Sequence, residues 1–200
     1  MRRCALLIAA AFMLSACTGQ KVWAPDEAVA KAAYRNEGPA RLTLFTMINN
    51  KSGAGMHTSL MINGSQRVIF DPAGSFRHKS IPVRNDVVFG VTPRVADVYT
   101  RYHARKTYHV KVQQIDVSPE LAEMAMREVM AYGAVGKSGC ANSTSQIIAR
   151  LPGFEHISQT WFPTKLAKQF GDIPGVKSQD LYEYDSADNS KVLAAWDPAS

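Results

Sequence analysis

An α+β fold, with a small antiparallel sheet packed against helices, is predicted by three features of this 200-residue sequence. Two apolar runs, residues 56–62 and 67–71, flank Asn63-Gly64, a dipeptide suited to the left-handed backbone conformations of a tight hairpin. Ser118-Pro119 places a capping hydroxyl before a proline at the first helical position, and Leu121, Ala125, Val129 and Tyr132 then share one helical face. Strand-like and helix-like segments follow one another with no internal repeat of roughly twenty to fifty residues, which sets aside solenoids and propellers.

The chain opens with Met1-Arg2-Arg3 and an apolar stretch over residues 5–14, too short to span a bilayer. This is the pattern of an export signal. The stretch ends in Leu14-Ser15-Ala16-Cys17, which resembles the lipobox of bacterial lipoproteins. The resemblance implies cleavage after residue 16 and a diacylglyceryl group on Cys17, with membrane attachment through acyl chains. The alternative is an ordinary secretory signal cut near Ala16. Thr18, and no Asp, after the cysteine resembles an outer-membrane address, so the expected location is the cell envelope, lipid-anchored and facing the periplasm. Residues 17–25 would be the lipidated cysteine and its tether, residues 26–184 one domain with a single core, and residues 185–200 a mobile polar tail without a burial pattern.

Without Arg2 and Arg3 the formal charge falls from +6 to +4, and the remaining basic residues are scattered. Nucleic-acid binding is therefore not expected. A mildly basic surface suits anionic lipid or the acidic groups of cell-wall material, or is simply a solvated face.

Taken in order, Pro25-Asp26 introduces a helix with Ala28, Val29, Ala32 and Ala33 on one face. Residues 42–48 read as a buried strand, and a Gly-rich loop over 49–55 leads into the hairpin. Residues 87–91 form a short strand candidate. Val95, Val98, Tyr99 and Tyr102 recur at helical spacing, and residues 108–117 alternate as a strand. Gly133 ends the helix that Ser118 starts. A second helix begins at Cys140 and stops near Leu151-Pro152-Gly153; a short one is expected around residues 164–170, after the aromatic stretch Trp161-Phe162-Pro163.

The chain has three cysteines; Cys4 would leave with the signal and Cys17 would be capped, so Cys140 is the free thiol of the mature chain. In an oxidising compartment a lone thiol is a liability unless burial or chemistry favours it. At a helix start its thiolate is stabilised by free N–H groups and the helix dipole. Such a nucleophile needs a base, and the histidines are His57, His78, His103, His109 and His156. His57, opening a strand after the Gly-rich loop, ranks first; His156, sixteen positions after Cys140, is the runner-up. His103 and His109 flank Arg105-Lys106 and read as surface residues, as does His78 between Arg77 and Lys79. Asp71 is the candidate group to orient His57. A three-residue loop, Asn63-Gly64-Ser65, sets Asp71 directly opposite His57, whereas a two-residue turn sets Phe70 there and turns Asp71 away. An Asp71-Pro72 turn starter is the alternative role. No spacing of His, Cys or carboxylates matches a metal site, and neither metal nor cofactor is expected.

The order of a strand His, a hairpin-borne polar residue and then a helix-opening Cys resembles the circularly permuted papain-like superfamily, relatives of the NlpC/P60 cell-wall peptidases. Residues 55–62 resemble its His strand, residues 139–144 its Cys helix, and Leu166 after Pro163 its proline-plus-apolar segment. Members include peptidases, amidases, deubiquitinase-like enzymes and lipid acyltransferases. The resemblance implies Cys140 as nucleophile, His57 as base and Asp71 as orienting group. It departs in one place, since many relatives have Asn before the cysteine and this chain has Gly139. The expected activity is a membrane-tethered thiol hydrolase or acyltransferase acting on amide or ester bonds, with cell-wall peptide the substrate class that location favours and acyl transfer among phospholipids the other enzyme. The non-enzymatic alternative is an envelope binding or structural domain in which Cys140 is a buried small apolar residue.

Overall fold

A computed structural model describes Gly19 and residues 21–196. Cys17, the signal segment and residues 197–200 lie outside the described residues.

The fold is mixed α+β. Its seven-stranded sheet is antiparallel throughout, in the order β4-β5-β3-β2-β1-β6-β7. The strands are β1 (Arg41–Asn49), β2 (Gly55–Asn63), β3 (Arg67–Phe70), β4 (Val83–Arg84), β5 (Val87–Val88), β6 (Tyr108–Asp116) and β7 (Lys177–Leu181). Among the described residues there are six helices: α1 (Asp26–Ala32), α2 (Pro93–His103), α3 (Pro119–Tyr132), α4 (Cys140–Ala149), α5 (Pro163–Gly171) and α6 (Ser190–Ala194). None is long and apolar enough to cross a membrane.

The alternation of side chains along the central strands sends two sets of apolar groups to opposite faces. Leu42, Leu44, Leu60, Ile62, Val68 and Phe70 meet α3, α4 and α5 through Ala122, Ala125, Ile147, Ile148, Leu166 and Phe170. Phe45, Met47, Ile69, Val110 and Val112 meet α2 through Val95, Tyr99 and Tyr102. With both faces covered, β1 is buried along its seven inner positions, which explains why it reads as a continuous apolar run. Each fully buried Leu or Ile contributes roughly 1.5–3 kcal/mol to holding these layers together.

Local signals fix the helix ends. Ser118 Oγ accepts from the Leu121 N–H at 3.2 Å, and Gly133, at φ 88°, ends α3 as expected. Thr92 caps α2 in the same way, with Pro93 in its first turn.

Three elements differ from the sequence reading. The hairpin joins Asn63 to Arg67 around Gly64-Ser65-Gln66, so the loop has three residues but starts one place later than expected. The short strand β4 and the polar strand β7 carry no apolar alternation; β7 exists because its backbone pairs with β6. The segment from Asp185 does bury a side chain, Leu193, and is held by Arg105, whose Nε donates to the Ser186 carbonyl at 2.6 Å, and by Asn189, which donates to the Tyr102 carbonyl at 3.3 Å.

Candidate active site

β3 ends at Phe70, opposite Leu60, so the first half of β2 loses its neighbour on that side. Carried on, the register sets Asp71 opposite Ser59 and Pro72 opposite Thr58, and Pro72 has no N–H to pair. The Thr58 N–H faces the thiol of Cys140 instead. Cys140 is the first residue of α4. The first bond of that helix runs from Ser143 N to Gly139 O, so the N–H groups of Cys140, Ala141 and Asn142 have no partner within the helix and point toward the thiol end.

His57, from β2, stands beside Cys140 and hydrogen-bonds it. Its Nε2 lies 2.7 Å from Asp71 Oδ1, which leaves Nδ1 to face the sulfur. Asp71 is thus a diagonal neighbour of His57 on the same sheet face, in neither of the two registers expected. Parity explains why the contact survives: moving the loop by one place shifts the pairing by two residues and keeps the face. The turn that aims Asp71 is held by Asp71 N to Asp86 O at 2.8 Å and Gly74 N to Asp71 O at 3.0 Å. Two non-glycine residues with left-handed backbones, Ala73 (φ 57°) and Ser138 (φ 67°), lie just after Asp71 and just before Cys140. Local strain is stored beside both groups.

Burial decides the electrostatics. The Asp71 carboxylate is fully buried, the His57 side chain is 17% exposed and Cys140 is 7% exposed. For Cys140 burial is the largest influence and pushes the thiol up, but the His57 hydrogen bond and charge, with the Thr58 and Ala141 N–H groups, bring it below its ordinary value. Burial likewise pulls His57 down, yet its bonds to Asp71 and Cys140 raise it to about 10. Asp71, which burial alone would raise, is lowered to about 2 by the bonds and charge of His57 and by Tyr99. All three shifts favour a thiolate–imidazolium–carboxylate arrangement over its neutral form.

Two participants escaped the sequence reading. The Tyr99 hydroxyl is 2.8 Å from Asp71 Oδ1 and 2.7 Å from Ser59 Oγ; with its one proton given to the carboxylate, it accepts from Ser59. Burial keeps this phenol protonated. His103, expected at the surface, instead packs beside His57, with ring centroids 5.9 Å apart and planes at 22°. Its Nδ1–H donates to the Tyr99 carbonyl at 2.8 Å, and burial lowers it to about 4, so it is neutral near pH 7. The i, i+4 spacing of Tyr99 and His103 on one helical face was the signal available for both.

The remaining histidines lie elsewhere. His156 is exposed beyond α4, His109 bonds Asn50 at 2.7 Å, and His78 bonds Ser80 at 2.6 Å. The runner-up base is therefore not part of this cluster.

His57, Asp71 and His103 bring ligand-type atoms within 4.8 Å of one another, a grouping that sequence spacing does not show, because the three come from β2, the turn after β3 and α2. Asp71 Oδ1 serves His57 and Tyr99, while Asp71 Oδ2 is buried without a hydrogen-bond partner among the described residues. A cavity of about 210 Å³ reaches this network from the His103 side, lined in part by Met47, Met56, His57 and Arg105.

No family model, no curated protein and no solved structure matches the chain.

Proposed function

We propose that the protein is a thiol hydrolase or acyltransferase of the cell envelope, acting on amide or ester bonds, with Cys140 as nucleophile, His57 as general base and Asp71 as the group that orients it. The observation that carries this reading is the contact chain Cys140–His57–Asp71, in which a helix-start thiol meets a histidine whose far nitrogen is fixed by a buried carboxylate 2.7 Å away. The thiolate adds to the carbonyl carbon, the helix-start N–H groups receive the developing oxyanion, and His57 returns its proton to the leaving amine or alcohol. Water or another acceptor then takes the acyl group, with His57 as base. The same chain supports a permuted papain-like arrangement, since the base strand precedes the nucleophile helix in sequence.

The test is covalent. Incubation with an activated ester, followed by intact-mass analysis, should reveal one acyl group on Cys140 and none in Cys140→Ala. Absence of the adduct in the wild type, with the thiol still slow toward iodoacetamide, would leave Cys140 as a buried apolar residue of a binding domain, a role its 7% exposure also fits.

Lipid attachment is proposed at Cys17. Cys17→Ser should move the protein from the membrane fraction to the soluble periplasm or leave it unprocessed, read by fractionation and by labelled-palmitate incorporation.

A further inference from the structure

Three segments meet near the Cys140–His57 pair: residues 49–57 at the β1–β2 turn, residues 134–145 into α4, and residues 158–168 into α5. The third bridges the other two. The Gln159 side chain bonds Asn142 Oδ1, and Thr160 N donates to Ser145 Oγ at 3.0 Å, both along α4. Pro163 and Thr164 then press on the start of β2 so closely that a Cβ on Gly55 would stand 2.8–3.0 Å from them. Trp161 and Phe162 therefore cross from the helix of the nucleophile to the strand of the base. They are 59% and 67% exposed, and Met56, next to His57, is 55% exposed; three of the seven exposed large apolar side chains among the described residues thus lie on these segments.

The charge on these segments has one sign. The three segments contain Lys51, Lys137, Lys165 and Lys168 and no Asp or Glu, in a chain with 17 acidic residues. Lys168 is paired with Asp172, which leaves Lys51, Lys137 and Lys165 on the same segments as the exposed apolar side chains. Gly19 packs on the second of these segments, so tightly on Ala134 and Val135 that an added Cβ would meet their backbone at 2.5–2.6 Å.

We propose that this surface docks on an anionic lipid bilayer and that the acyl donor is a lipid ester taken from it, in place of the cell-wall peptide that location alone favours. Exposed aromatic and thioether side chains enter the headgroup boundary, while lysines of the same segments reach its phosphates. The choice of donor rests on the thiol-acyl reading above; the docking does not. In the reaction the Cys140 sulfur bonds the ester carbonyl carbon, the carbon–oxygen bond to the lipid alcohol breaks, and the His57 proton passes to that alcohol. Water or a second hydroxyl then releases the acyl group and regenerates the thiol.

The test uses the full chain carrying Trp23→Phe and Trp196→Phe, which leaves Trp161 as its one tryptophan. With phosphatidylglycerol–phosphatidylethanolamine vesicles, Trp161 emission should shift to the blue and be quenched by lipids brominated on the acyl chain. Adding Lys51→Gln, Lys137→Gln and Lys165→Gln should weaken partitioning roughly a hundredfold, at about fivefold for each lysine. Undiminished quenching in that lysine variant would assign membrane contact to the N-terminal anchor and overturn the proposal. So would an unquenched Trp161 that responds instead to soluble muropeptides. Cys140→Ala should dock like the parent, so docking without any lipid-derived thioester on Cys140 would refute the lipid donor and the thiol reading while leaving the surface assignment standing.

Discussion

Cys140 should alkylate with iodoacetamide faster at neutral pH than an ordinary thiol, whose rate rises tenfold per unit until about 8.5. The reason is the state of its partner. His57, held up to about 10, keeps its proton at neutral pH and stabilises the thiolate beside it. His57→Ala removes both the hydrogen bond and the charge and leaves burial, which pushes the thiol up. The variant should lose roughly a hundredfold in rate at pH 7 and regain it only in alkali, since each unit of pKa is a factor of ten in thiolate. A wild-type profile that rises near 8.5 and is unmoved by His57→Ala would refute the activated thiol.

The second large effect is expected at Asp71 and at the glycine that makes room for it. Asp71→Asn keeps an oxygen for the His57 N–H and the Tyr99 hydroxyl but removes the buried negative charge, so the imidazolium loses its main counter-charge. Alkylation at pH 7 should fall by about tenfold or more and recover toward alkaline pH, where the thiolate forms without help from the imidazolium. Gly74→Ala tests the same contact without touching an ionisable group. Its Cβ would stand 1.9 Å from Asp71 Oδ2 and 2.1 Å from the carboxyl carbon, and that carboxylate is pinned by His57 and Tyr99. Either the carboxylate or the turn must move, so the rate should fall at least as far as in Asp71→Asn. Alkylation profiles of the two variants, beside circular dichroism to verify folding, decide the matter; a Gly74→Ala protein with the parental profile would count against Asp71 as the orienting group.

The ion pair also sets a pH window for stability. His57 is raised above its unfolded value, so its contribution is complete below about 6.5 and is lost as pH rises through about 10. Asp71 is lowered, so its contribution is complete above about 3.8 and is lost as pH falls through about 2.

The sequence by itself determined the local elements and their order. An Asn-Gly hairpin, a serine cap before proline, and a cysteine opening a helix are statements about a few adjacent residues, and their backbone preferences act over that same range. Cys140 at a helix start and His57 near a strand start were legible for this reason. The pairing of His57 with Asp71 was only half legible, because sheet parity survives a shift of two residues while register does not. Tertiary structure alone decided the rest. β7 carries no apolar alternation and is a strand because β6 offers it a free edge. Tyr99 reads as one more apolar helix position until α2 packs on the sheet and brings its hydroxyl to a carboxylate 28 residues away. His103 reads as a basic surface residue until the same packing buries it against His57. In both cases the deciding contact joins residues far apart in the chain, and its energy comes from burial, which exists only once both layers are in place.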